Sequence, residues 1–327
     1  MRLVMMGTGT FAEPTLQLLI EHGEHVVGVI TQPDREIGQK RSTTRQMGRG
    51  IKNIAHEAGI PVAQPESINS AEGLALLHGF QPDLLVVVAY GQILSAEALA
   101  VARHGGINVH ASLLPKYRGA APVAWAIWNG ETQTGVSIIR MSAGLDAGDI
   151  LAQEAVKILP DETAGELEAR LALIGARLAL DVIQRMKQGP VTGRPQEPAL
   201  VTKAPKLRKE MGLIDWSRPA PQVWNQIRAM QPWPTPYTFL HRADHPPCRV
   251  VLPDAAPIES AFREGPPGTI LVEPMADGDR AMLTICGDGT LLRILALHPA
   301  GKRSMSAADF LRGHPLQPGD HFGAEHS

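Results

Sequence analysis

Several things are scarce in this 327-residue chain, and each scarcity excludes something. There are two cysteines, Cys248 and Cys286. That is too few for a disulfide framework or a zinc-ligand set, and it fits a reducing compartment. Net charge is nearly absent, at -2 with a pI of about 6.6, so no protein-wide field advertises a polyanionic partner, although a local basic patch still can. Long apolar runs are missing too. The opening Met1-Arg2-Leu3-Val4-Met5-Met6-Gly7 is a short strand running into glycine, too short for a signal-peptide apolar region or a membrane span. There is no internal repeat, no low-complexity tail and no G-x-S-x-G turn, and both cysteines lie far from the residues singled out below, which disfavours covalent acyl transfer. These exclusions lead us to expect a cytoplasmic, soluble, enzyme-sized protein without membrane contact; a monomer without a metal is also expected.

What is present begins with a strand, a glycine turn and a helix. An apolar run over residues 2–6 ends at Gly7-Thr8-Gly9-Thr10-Phe11-Ala12, helical spacing follows through Leu16, Leu18, Leu19 and Ile20, and residues 25–31 (HVVGVIT) form a second apolar strand. The pattern is the opening βαβ of an open parallel sheet. The glycine turn satisfies G-x-G-x-x-[G/A] with Asp34 roughly 20 residues on, as a dinucleotide site would require. The competing reading is a pair of glycines that let the strand turn tightly. Leu84 to Tyr90 is the most apolar strand, fits a central position in the sheet, and ends at Gly91. Ligands of open α/β sheets bind beyond the carboxyl ends of strands, so Tyr90, Gly91, Gln92, Ile93 and Leu94 are candidate pocket wall; the plainer reading, which the residues alone favour slightly, is an ordinary strand-to-helix turn. Between these elements, residues 34–53 carry Arg35, Lys40, Arg41, Arg45, Arg49 and Lys52 against Asp34 and Glu36. A loop this long and basic suits anion or nucleic-acid contact and equally a solvated flexible loop, and its lack of aromatics argues against base stacking.

Long helical periodicity from Glu166 to Met186 stops at Gly189-Pro190. Residues 190–209 then turn to Pro, Gly, Gln and Lys, including Lys203, Lys206, Arg208 and Lys209, a composition that favours an extended spacer. Beyond a short helix near 216–230, apolar strands recur between turns at 237–240, 248–252, 269–272, 281–286 and 291–297, which indicates a small OB-like β-barrel. The expected organisation is an α/β Rossmann-like open parallel-sheet domain over 1–189, a linker over 190–209 and an OB-like domain over 210–327.

The stretch from Gly105 to Leu151 concentrates the chemistry. Asn108 and His110 alternate with Ile107 and Val109, so in an extended strand the amide and imidazole share one face. Asp146 follows in the glycine-flanked turn Gly144-Leu145-Asp146-Ala147-Gly148-Asp149. An amide, an imidazole and a carboxylate can stabilise an oxyanion and move a proton. Direct transfer of an acyl group to a nucleophile fits them without a metal, since His104, His110 and Asp146 lack zinc-site spacing. The plainer alternatives are a core histidine bonded to backbone and a carboxylate that closes a turn.

Asn108-Val109-His110-Ala111-Ser112-Leu113-Leu114-Pro115, then Tyr117-Arg118-Gly119-Ala120-Ala121-Pro122, then Gly144 to Asp149 resemble the signature of the 10-formyltetrahydrofolate-dependent formyltransferases. The resemblance extends to Thr31 to Arg35, Val87 to Gly91, Ile214 to Trp216, Pro232 to Pro234, Pro267 to Ile270 and Pro299 to Lys302. It is strongest to the branch acting on methionyl-tRNA, because relatives acting on glycinamide ribonucleotide share only the first domain. It implies direct transfer of a formyl group, through a tetrahedral intermediate, from 10-formyltetrahydrofolate to the α-amino group of methionine on initiator tRNA, for translation initiation. Catalysis is expected from Asn108, His110 and Asp146. Folate contact is expected from Tyr90, Gly91, Gln92, Ile93, Leu94, Ser112, Leu113, Leu114 and Pro115. Contact with tRNA is expected from Lys40, Arg41, Arg45, Lys203, Lys206 and Arg208. Two departures stand out: Ala111 replaces the usual glycine, and residues 39–49 replace the usual Arg-Gly-Lys-Lys stretch while keeping its basic character. The rivals are a nicotinamide-dependent oxidoreductase, which leaves the central trio unexplained, and an RNA-binding module on a degenerate enzyme fold.

Overall fold

The computed structural model describes residues 1–34, 49–275 and 279–326. The chain divides into two compact units, one of residues 1–123, 132–159 and 165–206, the other of residues 124–131, 160–164 and 207–327.

The first unit is built on strands β1 (Leu3–Gly7), β2 (Val26–Ile30), β3 (Val62–Ala63), β4 (Leu84–Val88), β5 (Gly106–His110), β7 (Gln133–Arg140) and β8 (Ile150–Lys157), in the order β3-β2-β1-β4-β5-β7-β8; a two-residue β6 (Arg118–Gly119) lies apart from them. From β3 to β5 every pair is parallel, whereas β5 to β7 and β7 to β8 are antiparallel. The expected parallel sheet is therefore the larger part of a mixed one. Every residue of β1 and β4 is buried, as strands covered on both faces require. Helices α1 (Glu13–Glu21), α2 (Ile51–Glu57), α3 (Ala71–Phe80) and α4 (Ala96–Ala100) fall between the parallel strands. Ser70 and Ser95 cap α3 and α4 by accepting from the amides of Gly73 and Ala98, each at 3.1 Å, which satisfies donors the first helical turn leaves open. After the short α5 (Pro122–Trp128), the long α6 (Ala164–Gln188) lies against the back of β5. A Cβ on Gly175 would meet Val109 at 2.7 Å and Val136 at 3.4 Å, so the missing side chain lets the helix come this close. Because strand side chains alternate, packing Val109 on α6 turns Asn108 and His110 to the other face.

Residues 190–206 stay with this unit. β9 (Lys203–Ala204) pairs parallel with β6, and Arg194 bridges Ile150.

The second unit carries α7 (Ala220–Ala229), β10 (Tyr237–Arg242), β11 (His245–Phe262), β12 (Ile270–Pro274), β13 (Arg280–Ile285), β14 (Thr290–Pro299), β15 (Met305–Ser306), α8 (Ala307–Gly313) and β16 (His321–Gly323). The strands form a curled antiparallel sheet in the order β12-β13-β14-β11-β10-β16, with β15 on β14. Its path nearly meets itself: Thr269 bridges His321, and the Phe322 amide donates to Gly268 O at 2.8 Å. Gly268 has φ +91°, and a Cβ there would lie 2.1 Å from Phe322 O, so only glycine permits this approach. The core gathers Trp216, Val223, Ile227, Leu240, Leu252, Ile294 and Phe322. Trp216 stacks on Phe322 with ring centroids 5.5 Å apart and donates its Nε1 proton to Thr238 Oγ1 at 3.0 Å. The five strands expected from sequence are all present, while β11 is far longer than expected and β15, α8 and β16 were not anticipated. The Pro residues inside β11 and the brevity of β15 and β16 hide them from periodicity.

Candidate active site

β5 presents Asn108 half-buried and His110 5% exposed. Around them the chain after the strand is tightly tied. The buried Ser137 of β7, which stands opposite His110 in the sheet, donates to Ser112 O at 2.6 Å and accepts from the Leu114 amide at 3.1 Å. Gln153 of β8 donates to Leu114 O at 2.9 Å and to Ser137 Oγ at 2.8 Å. These bonds fix Ser112 to Pro115 as a wall built from backbone. Further on, Thr202 Oγ1 accepts from the Tyr117 amide at 2.8 Å and Thr202 O from the Arg118 amide at 2.9 Å.

The turn bearing Asp146 folds back toward the same face. Asp146 has φ +47°, a conformation a non-glycine residue holds only where its surroundings compensate. A Cβ on Gly148 would sit 1.6 Å from Arg140 O, so glycine is obligatory there. The outcome is a three-residue cluster. Asn108 Nδ2 donates to Asp146 Oδ1 at 3.3 Å, the Gly119 amide donates to Asp146 Oδ2 at 2.9 Å, and His110 Nδ1 stands 3.6 Å from Oδ2. His110 Nε2 lies 2.9 Å from Tyr117 O. A carbonyl only accepts, so Nε2 carries a proton, and Nδ1 is the nitrogen left facing the carboxylate. The His110 and Asp146 side chains are 6% and 11% exposed, so any charge the ring carries acts on the carboxylate with little screening. The sequence's three chemical groups thus meet at one place.

The other expected site residues fall as follows. In the turn after β4, Tyr90 O accepts from Gln32 Nε2 at 3.0 Å, and burial pushes the Tyr90 phenol up to about 12. Gln92 spends its carboxamide on backbone, accepting from the Ile68 amide at 2.8 Å and donating to Glu66 O at 3.0 Å. Asn69 donates to Ile93 O and accepts from the Ser95 amide, both at 2.8 Å. The turn is built and rigid, yet Ile93 is 67% exposed, and Leu145 beside Asp146 is 57% exposed. Lys203, Lys206 and Arg208 are exposed. Lys40, Arg41 and Arg45 lie outside the described residues.

The glycine fingerprint at Gly7 to Ala12 is closed by its own chain. A Cβ on Gly7 would meet Ala12 Cβ at 2.6 Å and Val88 O at 2.9 Å. Glu13, in the first turn of α1, accepts from the amides of Gly50 at 2.9 Å and Arg49 at 3.2 Å. A carboxylate in that turn competes with a pyrophosphate for the helix N-terminus. Asp34, at the position where a dinucleotide site would require a ribose ligand, instead accepts from Lys52 Nζ at 2.5 Å and Gln64 Nε2 at 3.2 Å, and the Lys52 bond chiefly holds its carboxyl below the usual range. Among the described residues no group of three or more His, Cys, Asp or Glu could hold a metal, and no helix is long and apolar enough to cross a membrane.

Sequence reasoning missed Gly119, Ser137, Gln153, Gln196 and Thr202. Only Gly119, in Tyr117-Arg118-Gly119, carried a signal: its φ is +126°, and a Cβ would lie 2.5 Å from Ala204 O. The rest act through single polar contacts across long separations, which no local pattern records.

Residues 1–183 match the formyl transferase family, and residues 206–315 match the formyl transferase C-terminal domain. The methionyl-tRNA formyltransferase of Geobacter metallireducens is 44% identical over 321 residues, covering 98% of each chain. That of Halalkalibacterium halodurans is 42% identical over 313 residues, covering 96% of this chain and 95% of its own. Among solved structures, the sugar 3N-formyl transferase WlaRD, crystallised in the presence of dTDP and 5-N-formyl-THF, superposes with a TM-score of 0.65 at 17% identity, over 93% of this chain and 99% of its own. HypX from Aquifex aeolicus in complex with tetrahydrofolic acid gives 0.59 at 16% identity, over 95% of this chain and 46% of its own. At such identities the likeness is one of fold. Matched from end to end by sequence, the chain belongs to the formyl transferase family, in its methionyl-tRNA formyltransferase branch.

Proposed function

We propose that the protein transfers the formyl group of 10-formyltetrahydrofolate to the α-amino group of methionine on initiator methionyl-tRNA, the step that prepares that tRNA for translation initiation. The observation that carries this reading is the meeting of Asn108, His110 and Asp146 at one partly buried point. Asn108 Nδ2, through its second N–H, and the charge of the His110 ring stabilise the formyl oxygen as it gains charge under attack by the amine, in surroundings dry enough to make such interactions strong. Asp146 sustains the charged imidazole and accepts the proton the amine sheds, directly or through water; on collapse of the tetrahedral intermediate the bond from the formyl carbon to N10 breaks, that proton passes to N10, and tetrahydrofolate leaves. Tyr117 O keeps the ring oriented through Nε2. No side chain needs to become covalently bound.

Folate contact is assigned to Tyr90, Gly91, Gln92, Ile93 and Leu94 and to Ser112, Leu113, Leu114 and Pro115, with the exposure of Ile93 and the backbone groups of both turns as support. For Gln92 the contribution is through backbone, since its carboxamide is spent. Exposed Lys203, Lys206 and Arg208 suit phosphate contact, and the basic residues Lys40, Arg41 and Arg45 complete the proposed tRNA set. The curled second-unit sheet is read as OB-like on the strength of its Gly268 to Phe322 closure. We place the protein in the cytoplasm as a monomer.

The test is a formylation assay with 10-formyltetrahydrofolate as donor and three acceptors side by side: methionyl initiator tRNA, free methionine and a dTDP-linked amino sugar. Product is expected on the tRNA alone. Formylation of the sugar with none on the tRNA would overturn the acceptor, and tight saturable NADH fluorescence would revive the oxidoreductase.

A further inference from the structure

Gln196 carries no sequence signal, yet its carboxamide bonds at both ends. Its Nε2 donates to Asp146 O at 2.7 Å and to Gly148 O at 2.8 Å. Its Oε1 accepts from Arg118 Nη2 at 2.7 Å and Arg118 Nε at 3.1 Å. Four good hydrogen bonds on one half-buried side chain are more than surface anchoring requires. The two groups it joins are the turn that carries the Asp146 carboxylate and the residue preceding Gly119, whose amide donates to that same carboxylate. A side chain that fixes both the peptide of a strained aspartate and the donor beside it sets where the carboxylate points.

The surrounding chain makes Gln196 part of a strap. Arg194 and Ile150 exchange backbone hydrogen bonds of 2.9 Å, just after the Asp146 turn. Thr202 takes the Tyr117 and Arg118 amides, and Ala204 O takes the Ala121 amide at 3.2 Å. Residues 194–204 therefore grip the backbone on either side of the imidazole and the carboxylate, and Gln196 reaches the Asp146 peptide itself.

We propose that Gln196 is a positioning residue for formyl transfer, holding Asp146 at the distance and angle from His110 Nδ1 at which it sustains the charged ring and accepts the amine proton. Gln196 acts through Asp146 and Gly119 and need touch no substrate. The proposal rests on the role assigned above to Asp146. Positioning of this kind affects turnover more than binding, since a displacement of about 1 Å in a catalytic group can cost on the order of 10²-fold.

The experiment compares Gln196→Met, which keeps the volume and removes all four bonds, with Gln196→Glu, which keeps acceptors for Arg118 but sets a carboxylate oxygen against the carbonyls of Asp146 and Gly148. The full-length protein is used, with kcat and KM for methionyl-tRNA and for 10-formyltetrahydrofolate measured across pH, and unfolding followed by circular dichroism. Gln196→Met is expected to lower kcat by roughly 10- to 10²-fold, with both KM values within about threefold, and to shift the pH profile of kcat. Gln196→Glu is expected to lose as much, because the donor side is the one that counts. Should one variant fail to fold, the other still decides. Asp146→Asn and the double variant with Gln196→Met complete a cycle, in which Gln196→Met costs little further once the carboxylate is gone. If Asp146→Asn is fully active, the role of Asp146 falls and this proposal with it. If Asp146→Asn is impaired while Gln196→Met keeps wild-type kcat and pH profile, or loses only KM, the proposal alone is overturned.

Discussion

Two glycine-flanked turns in the first unit each carry a carboxylate, and they use it in opposite ways. Glu13, after Gly7 to Ala12, has both oxygens engaged by backbone amides, those of Gly50 and Arg49. Asp146, after Gly144, has one short backbone bond, to Gly119, and otherwise faces a side-chain amide at 3.3 Å and an imidazole nitrogen at 3.6 Å. A carboxylate saturated by fixed amides closes a loop. One that stands beside a titratable ring at ion-pair distance, with lone pairs to spare, can exchange a proton. By motif alone the first turn looked like the ligand site. The difference in partners, which no motif records, separates them.

The largest effect should come from dividing the two turns by activity. Asp146→Ala and His110→Ala are each expected to lower kcat for methionyl-tRNA formylation by about 10²-fold or more, the scale of losing a positioned proton acceptor or oxyanion donor. Glu13→Gln, measured in the same assay, should stay within about twofold of the unmodified protein. Steady-state kinetics on the three variants would erase the contrast if Glu13→Gln proved as damaging as Asp146→Ala without loss of fold.

Stability should sort the same residues the other way round. Glu13 is 9% exposed, and an amide in its place can accept from one of the two backbone donors while its NH2 faces the other. Losing a buried charge-assisted bond and stranding an N–H costs about 1–3 kcal/mol. Urea unfolding of Glu13→Gln should show a lower midpoint at unchanged slope. Asp146→Asn should cost less, because asparagine tolerates the φ +47° at least as well as aspartate and its Oδ1 can still accept from the Gly119 amide, without the charge. A larger loss for Asp146→Asn than for Glu13→Gln would mean that both carboxylates are primarily structural.

The contrast also shows how far sequence could reach. The first-unit sheet was legible in outline because β1 and β4 are uninterrupted apolar runs, and the trio was legible because alternation along β5 places Asn108 and His110 on one face. The antiparallel direction of β7 and β8 was not legible, since it is decided by what the turn at 141–149 must do rather than by any residue within the strands. The strap at 194–204 was legible only as composition. Its Pro and Gln content suits a spacer, and its pairing with Arg118 and Gly119 depends on a glycine more than eighty residues earlier that leaves room for Ala204 O. In the second unit, Pro residues within β11 concealed an 18-residue strand, and α8 is too short for periodicity to separate it from a turn.

The smallest effect comes from a third carboxylate that completes the series. Asp215 in the second unit accepts from Ser217 Oγ at 2.5 Å, from the Ser217 amide at 3.2 Å and from Arg218 Nε at 3.2 Å, a set as full as that of Glu13 but open to water. The Ser217 hydroxyl holds the Asp215 carboxyl below the ordinary aspartate value of 3.8, opposed by desolvation and helped by the Ser217 amide and Arg218. A folded-state value depressed in this way adds stability that is present above the unfolded-state value and disappears as pH falls through the folded one. Because the group is exposed, solvent screening limits that contribution to under about 1 kcal/mol. Asp215→Asn should therefore lower the unfolding midpoint slightly at pH 7, and the gap between variant and unmodified protein should narrow as pH drops below 4. A gap that widens toward acid would reverse the sign. A gap at pH 7 as large as that of Glu13→Gln would show that burial is not what separates a loop-closing carboxylate from a surface one, and that bond count alone decides.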